Sequence, residues 1–133
     1  MKFQIHKPLS VPVVLLVCVL LLNWVLIAVD FHEIQSERVA SIKVINGRSG
    51  QTMTLEASED VHALIAQCNT VTPLLWFGPR CAGYSHYLRF YDAAGKEVAS
   101  FTVIDSGTVS MGQFTLVADC TGILQYLQAL EQK

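Results

Sequence analysis

The stretch from Val11 to Val29 is apolar almost throughout, and Asn23 is its one strongly polar interruption. Wound into a helix, these nineteen residues rise about 28 Å at ~1.5 Å each, close to a bilayer hydrocarbon core of ~30 Å. A membrane span over residues 9–29 is therefore expected. It makes the lipid bilayer the first expected partner and tethers all that follows to a membrane surface.

The flanks of the run set an expected orientation. Lys2, His6 and Lys7 precede it, whereas Asp30, Glu33 and Glu37 follow. Short Lys-rich flanks stay on the cytoplasmic side, so residues 1–8 are expected inside the cell and residues 39–133 outside, with 30–38 as a connector. Trp24 in the last third of the span, and Phe31 and His32 just past it, suit the bilayer interface. A cleaved secretory signal has a shorter apolar stretch of ~7–15 residues and small residues before the cut. Cleavage after Ala28 would put Leu26 where a small side chain is needed. Lipidation at Cys18 is disfavoured by Leu15-Leu16-Val17 before it and by its depth in the run. The length and the charged flanks also argue against the buried helix of a soluble domain. A retained, single-pass signal anchor is the expectation.

The anchor inflates the 52% hydrophobic content of the chain. Past Asp30, seven Lys and Arg stand against ten Asp and Glu. That mild acidity argues against a nucleic-acid partner, which calls for a basic stripe. It argues equally against electrostatic attachment to anionic lipid. The remaining length suits one small domain with a single core.

Within that domain, Val39, Ser41, Lys43 and Ile45 alternate with Ala40, Ile42, Val44 and Asn46, the period of a strand. Asn46-Gly47-Arg48-Ser49-Gly50 is a turn cluster, from which Gln51 to Glu56 returns as a hairpin partner. Ser58-Glu59-Asp60 opens a helix with a capping hydroxyl and acidic residues in its first turn. Val61, Leu64, Ile65 and Cys68 then fall on one stripe. Thr70 to Gly83 reads as a loop. Tyr84 to Tyr91 alternates as a strand, Asp92-Ala93-Ala94-Gly95 turns, and Glu97 to Ile104 pairs back. Thr108 to Met111 and Phe114 to Ala118 read as further short strands. A last helix, capped by Asp119 or Thr121, presents Ile123, Leu124, Leu127 and Leu130 on one face. The expected order is ββαββββα, an α+β domain with two helices on one face of a small antiparallel sheet.

Gly83-Tyr84, the turn Phe90-Tyr91-Asp92-Ala93-Ala94-Gly95 and the closing helix from Leu124 to Leu130 resemble small membrane-anchored or lipoprotein-type extracytoplasmic domains of Gram-positive bacteria. The resemblance covers roughly residues 39–131. It rests on turns and core positions and implies no catalytic residues.

Candidate chemistry begins with the cysteines beyond the span: Cys68, Cys81 and Cys120. An oxidising exterior allows a disulfide, Cys68 with Cys81 or Cys81 with Cys120, worth about 3–4 kcal/mol in the chain-entropy model. The alternative is that all stay reduced, Cys68 filling the core as a small hydrophobe. Cys120, in the first turn of a helix, would have its pKa lowered by the helix dipole and gain nucleophilicity. A thiol-dependent activity at Cys120 or Cys81 is therefore an alternative reading, although no histidine is spaced to serve as its base and Asp119 opposes the thiolate. His62, Cys68, Cys81 and His86 lack the close spacing of metal ligands, so no metal or cofactor is expected. Glu59, Asp60, Asp92 and Asp105 sit where acids cap helices and make turns. No hydrolase, phosphate-loop or dinucleotide signature is present.

Two candidate contact surfaces remain. If Leu88 and Phe90 face the helices, Tyr87, Arg89 and Tyr91 line one outward row, and aromatics beside an Arg are enriched at binding hot spots. The competing role is cross-strand pairing with Val98 and Ile104. Leu74-Leu75-Trp76-Phe77 either caps the core or forms an exposed patch, with Trp76 and Phe77 as its contacts to a protein partner or the bilayer interface. The expected function is non-catalytic binding or sensing by an anchored domain. The remaining alternative is a structural subunit of a membrane complex acting through its span.

Overall fold

A computed structural model describes residues 10–79 and 83–133. Helix α1, Val11–Asp30, is long and apolar enough to cross a membrane by length and composition, and none of its hydrophobic window is buried inside the protein. It does not continue into the connector. The chain turns extended at Phe31, and a single 3-10 turn, Ser36–Arg38, leads to the sheet.

The strands are β1 (Ser41–Asn46), β2 (Thr52–Leu55), β3 (Pro73–Pro79), β4 (His86–Tyr91), β5 (Glu97–Asp105), β6 (Thr108–Ser110) and β7 (Phe114–Ala118). Helix α2 (Ser58–Thr70) follows β2, and α3 (Thr121–Glu131) closes the chain. Among the described residues the strands form one seven-stranded antiparallel sheet in the order β2-β1-β4-β5-β6-β7-β3. The architecture is α+β. The expected loop over 70–83 is corrected by β3, a strand that pairs with β7 across the register Pro73 to Ala118 and Pro79 to Phe114.

Alternation fixes the core. Ile42 and Val44 of β1, Leu88 and Phe90 of β4, Phe101 and Val103 of β5, Val109 of β6 and Leu116 of β7 are all buried on aligned register positions. The stripe Val61, Leu64, Ile65, Cys68 of α2 and the face Ile123, Leu127, Leu130 of α3 join them in one apolar cluster. Burying each Phe or Leu in such a cluster contributes about 1.5–3 kcal/mol.

Two capping expectations are corrected. The N-cap of α2 is Ala57, with no side-chain hydrogen bond, and Ser58 is its first helical residue. The N-cap of α3 is Cys120, while Asp119 Oδ1 accepts the Thr121 N–H at 3.0 Å from one residue earlier. At the β1–β2 turn, Gly47 donates its N–H to Ser85 O at 2.8 Å, and a Cβ there would run into the Tyr84 carbonyl. Only glycine permits that approach.

The connector belongs to the folded unit. Ile34 and Val39 are buried, and the Asn69 side chain at the end of α2 clasps Ile34 on both sides, accepting its N–H and donating to its carbonyl at 2.9 Å each.

Candidate functional site

Strand β4 alternates as its sequence demands. His86, Leu88 and Phe90 are buried, and Tyr87, Arg89 and Tyr91 are half-buried on the opposite face. Their cross-strand neighbours differ from the expected Val98 and Ile104. Tyr87 lies between Ile45 and Thr102, Arg89 between Lys43 and Ser100, and Tyr91 between Ser41 and Glu97. A register shift between Phe90 and Tyr91 brings Glu97 within reach of the row. Arg89 donates to Glu97 Oε2 through Nε at 3.1 Å and Nη2 at 2.6 Å, and its guanidinium lies 5.5 Å from the Tyr91 ring centre. Bonding to the Glu97 carboxylate raises the Arg89 pKa further above its ordinary value. Glu97 thereby also offsets Lys43, a like charge directly opposite Arg89. Tyr84 stacks obliquely on Tyr87, with ring centres 5.9 Å apart. The result is a preorganised aromatic row with a paired cation at its centre.

The second surface is β3. Leu74, Leu75, Trp76 and Phe77 are 63%, 52%, 38% and 67% exposed, so this segment does not cap the core. Trp76 packs edge-on against Phe114 of β7 at 5.8 Å. The other side of β3 is a sheet edge and faces α1: Asn23 Oδ1 accepts the Trp76 N–H at 2.6 Å. Edge strands expose unpaired backbone groups, and apolar ones invite association unless covered. Asn23, the one polar break in the apolar run, covers this one.

The same side of α1 continues downward. Asn23, Leu26, Ile27 and Asp30 are the residues of the helix that are partly shielded, at spacings of three, four and seven. Asp30 accepts the Gln113 N–H at 3.1 Å and the Phe114 N–H at 3.2 Å, through its two oxygens. A side chain at Gly112 would collide with that carboxylate. Phe31 sets its ring edge-on to Phe101 at 5.9 Å. Thus the last two turns of α1 are docked on the domain.

The cysteines separate. Cys68 and Cys120 are buried free thiols, and Cys81, with both disulfide pairings expected for it, lies outside the described residues. The expected lowering of the Cys120 pKa is corrected: burial, then the charges of Asp105 and Asp119, push it up to about 12. Its Sγ points to Thr108 O at 3.8 Å instead of to solvent. Burial likewise raises Cys68. Neither environment supports a thiolate nucleophile.

One cluster escaped sequence reasoning. His86, 3% exposed, contacts Ser85 Oγ through Nδ1 at 2.9 Å and Glu131 Oε1 through Nε2 at 2.8 Å. Glu131 Oε1 also accepts from Asn46 Nδ2 at 2.9 Å. The cluster borders a cleft of about 420 Å³ that also touches Arg48 and Gln128. Although a hydroxyl, an imidazole and a carboxylate are in series, Glu131 is engaged in joining the last turn of α3 to β1 and β4. The parity of His86 with Leu88 was its only sequence signal. The partner lies 45 residues away, beyond any local pattern.

The acids at turns do structural work. Asp92 accepts the Ala94 and Lys96 N–H groups, and Asp105 accepts from Gly107 N and Thr108 Oγ1, bonds that lower its pKa. Among the described residues, no three His, Cys, Asp or Glu side chains gather to hold a metal ion. No family model matches the sequence, and the searches of curated proteins and of solved structures also return no match.

Proposed function

We propose that this chain is a single-pass membrane protein, with its N-terminus in the cytoplasm, that presents a non-catalytic binding or sensing domain outside the cell. The observation that carries the reading is that every apolar residue in the first twelve of α1 is exposed. The domain core closes without them, so lipid is the natural solvent for that surface. The Lys residues before the run and the acidic residues after it support the orientation, and the domain is of the kind that the sequence resembles in Gram-positive bacteria. The Tyr87-Arg89-Tyr91 row lies on the sheet face opposite the buried Leu88 and Phe90 and is the surface offered to a protein partner. Two aromatic rings around a cation already held by Glu97 cost little ordering entropy on contact.

The test is made in cells. Protease added outside intact cells should remove the domain while the anchor stays with alkali-washed membranes. A photoreactive residue at Tyr87 should then crosslink a discrete protein. Protection of the domain from external protease would refute the orientation, and an absence of crosslinked protein would refute the binding row.

A further inference from the structure

We infer that β3 is itself a lipid-contacting strand, held in the outer leaflet of the bilayer by the docked end of α1. The inference rests on the anchored reading above and adds where the domain sits relative to the membrane. Residues 11–22 of α1 are exposed on every side, and the docking stripe begins at Asn23. Those twelve residues span about 18 Å at ~1.5 Å each, well short of a hydrocarbon core of ~30 Å.

If α1 spans, the lipid must therefore extend past Asn23 toward Asp30, a further rise of about 10 Å at ~1.5 Å per residue. Trp76 is hydrogen-bonded to Asn23, so β3 lies within that outer stretch, at most about 10 Å beneath the hydrocarbon boundary at ~1.5 Å per residue. Its side chains match the place. Pro73–Pro79 carries no charge, and Leu74, Leu75 and Phe77 are more than half exposed. In water they would be a large unexplained apolar patch; at the acyl-chain boundary they are solvated. Trp24, adjacent to Asn23 and 75% exposed, and Trp76 then belong to one aromatic belt. Edge groups of β3 other than the Trp76 N–H taken by Asn23 need water or a polar partner, which keeps the strand toward the headgroups and away from the midplane. The alternative is a bilayer thinned to fit, which costs fractions of a kcal/mol for each Å of mismatch and leaves the patch in water.

The chain has two tryptophans, one on each element. In the full chain, Trp24→Phe leaves Trp76 as the sole reporter, and Trp76→Phe leaves Trp24. Each variant is reconstituted in phosphatidylcholine–phosphatidylglycerol vesicles containing lipids brominated either near the headgroup end or deep in the acyl chain. Trp76 emission should be blue-shifted, lose most of its intensity to the shallow bromines, and resist aqueous iodide. In the Trp24→Phe background, Asn23→Leu should weaken that quenching, because the bond that sets the depth is gone. Trp24 quenched by bromine with Trp76 quenched only by iodide would overturn the inference and leave the anchor standing. Failure of bromine to quench Trp24 would overturn both. Trp76 quenched best by deep bromines would overturn the placement toward the headgroups.

Discussion

Thr115 sits on β7 with its side chain buried, and its Oγ1 lacks a hydrogen-bond partner among the described residues. Thr115→Val keeps the branched shape that suits a strand and removes the stranded hydroxyl. A buried polar group without a partner costs about 1–3 kcal/mol, so this variant should be more stable by roughly 1 kcal/mol in urea unfolding of the detergent-solubilised chain. Destabilisation of that size would reveal a partner for the hydroxyl. Cys120 makes a different prediction. Unfolded, its thiol ionises near 9.0, whereas the native thiol keeps its proton to about 12. The native state thus binds that proton more tightly. The associated stability is fully present below pH 9 and is lost as pH rises from about 9 to about 12. Unfolding midpoints followed over that range should fall less steeply in Cys120→Ala than in the parent, with Cys68 and Tyr126, also raised by burial, contributing to the slope that remains.

At the scale of elements, the contact between Asp30 and the β6–β7 turn decides how α1 leaves the sheet. Gly112→Ala would push the carboxylate from the Gln113 and Phe114 amides. The carboxylate can swing aside, so the cost is that of the two lost hydrogen bonds, about 1 kcal/mol each. Hydrogen exchange should accelerate at those two amides, while the β4–β5 ladder remains protected. Uniform acceleration across the sheet would mean that the docking is not a separate unit. The helices and hairpins were legible in the sequence because each carries its own period: the stripe of α2, the alternation of β4, the Asp92 to Gly95 turn. Strand β3 was not. Four consecutive large apolar residues show no alternation, since neither side of β3 is covered like a central strand, and its partner lies beyond three other strands in the sequence. The outward row on β4 was likewise legible in direction. Its occupation by Glu97 was not, because that contact depends on a register shift between two strands.

For the whole molecule, α1 is more than a tether, since its lower turns complete the sheet. A shortened chain beginning at residue 31 loses both Asn23 and Asp30, and with them the cover on the β3 edge. Such a chain should self-associate through β3 in a concentration-dependent way, visible by light scattering. Adding Phe77→Lys should suppress that association, as a charge on an edge strand opposes pairing. A monodisperse shortened chain would show that the edge needs no cover.

The placement of β3 beside β7 also orders events in time. Every other strand pair in the sheet joins neighbours that are close along the chain, except β1 with β4; Pro73, by contrast, must wait for Ala118. Closing so long a loop is slow compared with forming a hairpin. As the chain is made, the apolar helix arrives first and Leu74 to Phe77 next, while the strand that will receive them is still missing. If the bilayer holds α1 as proposed, it offers those side chains somewhere to rest, and it would act as a holding surface for an unfinished sheet.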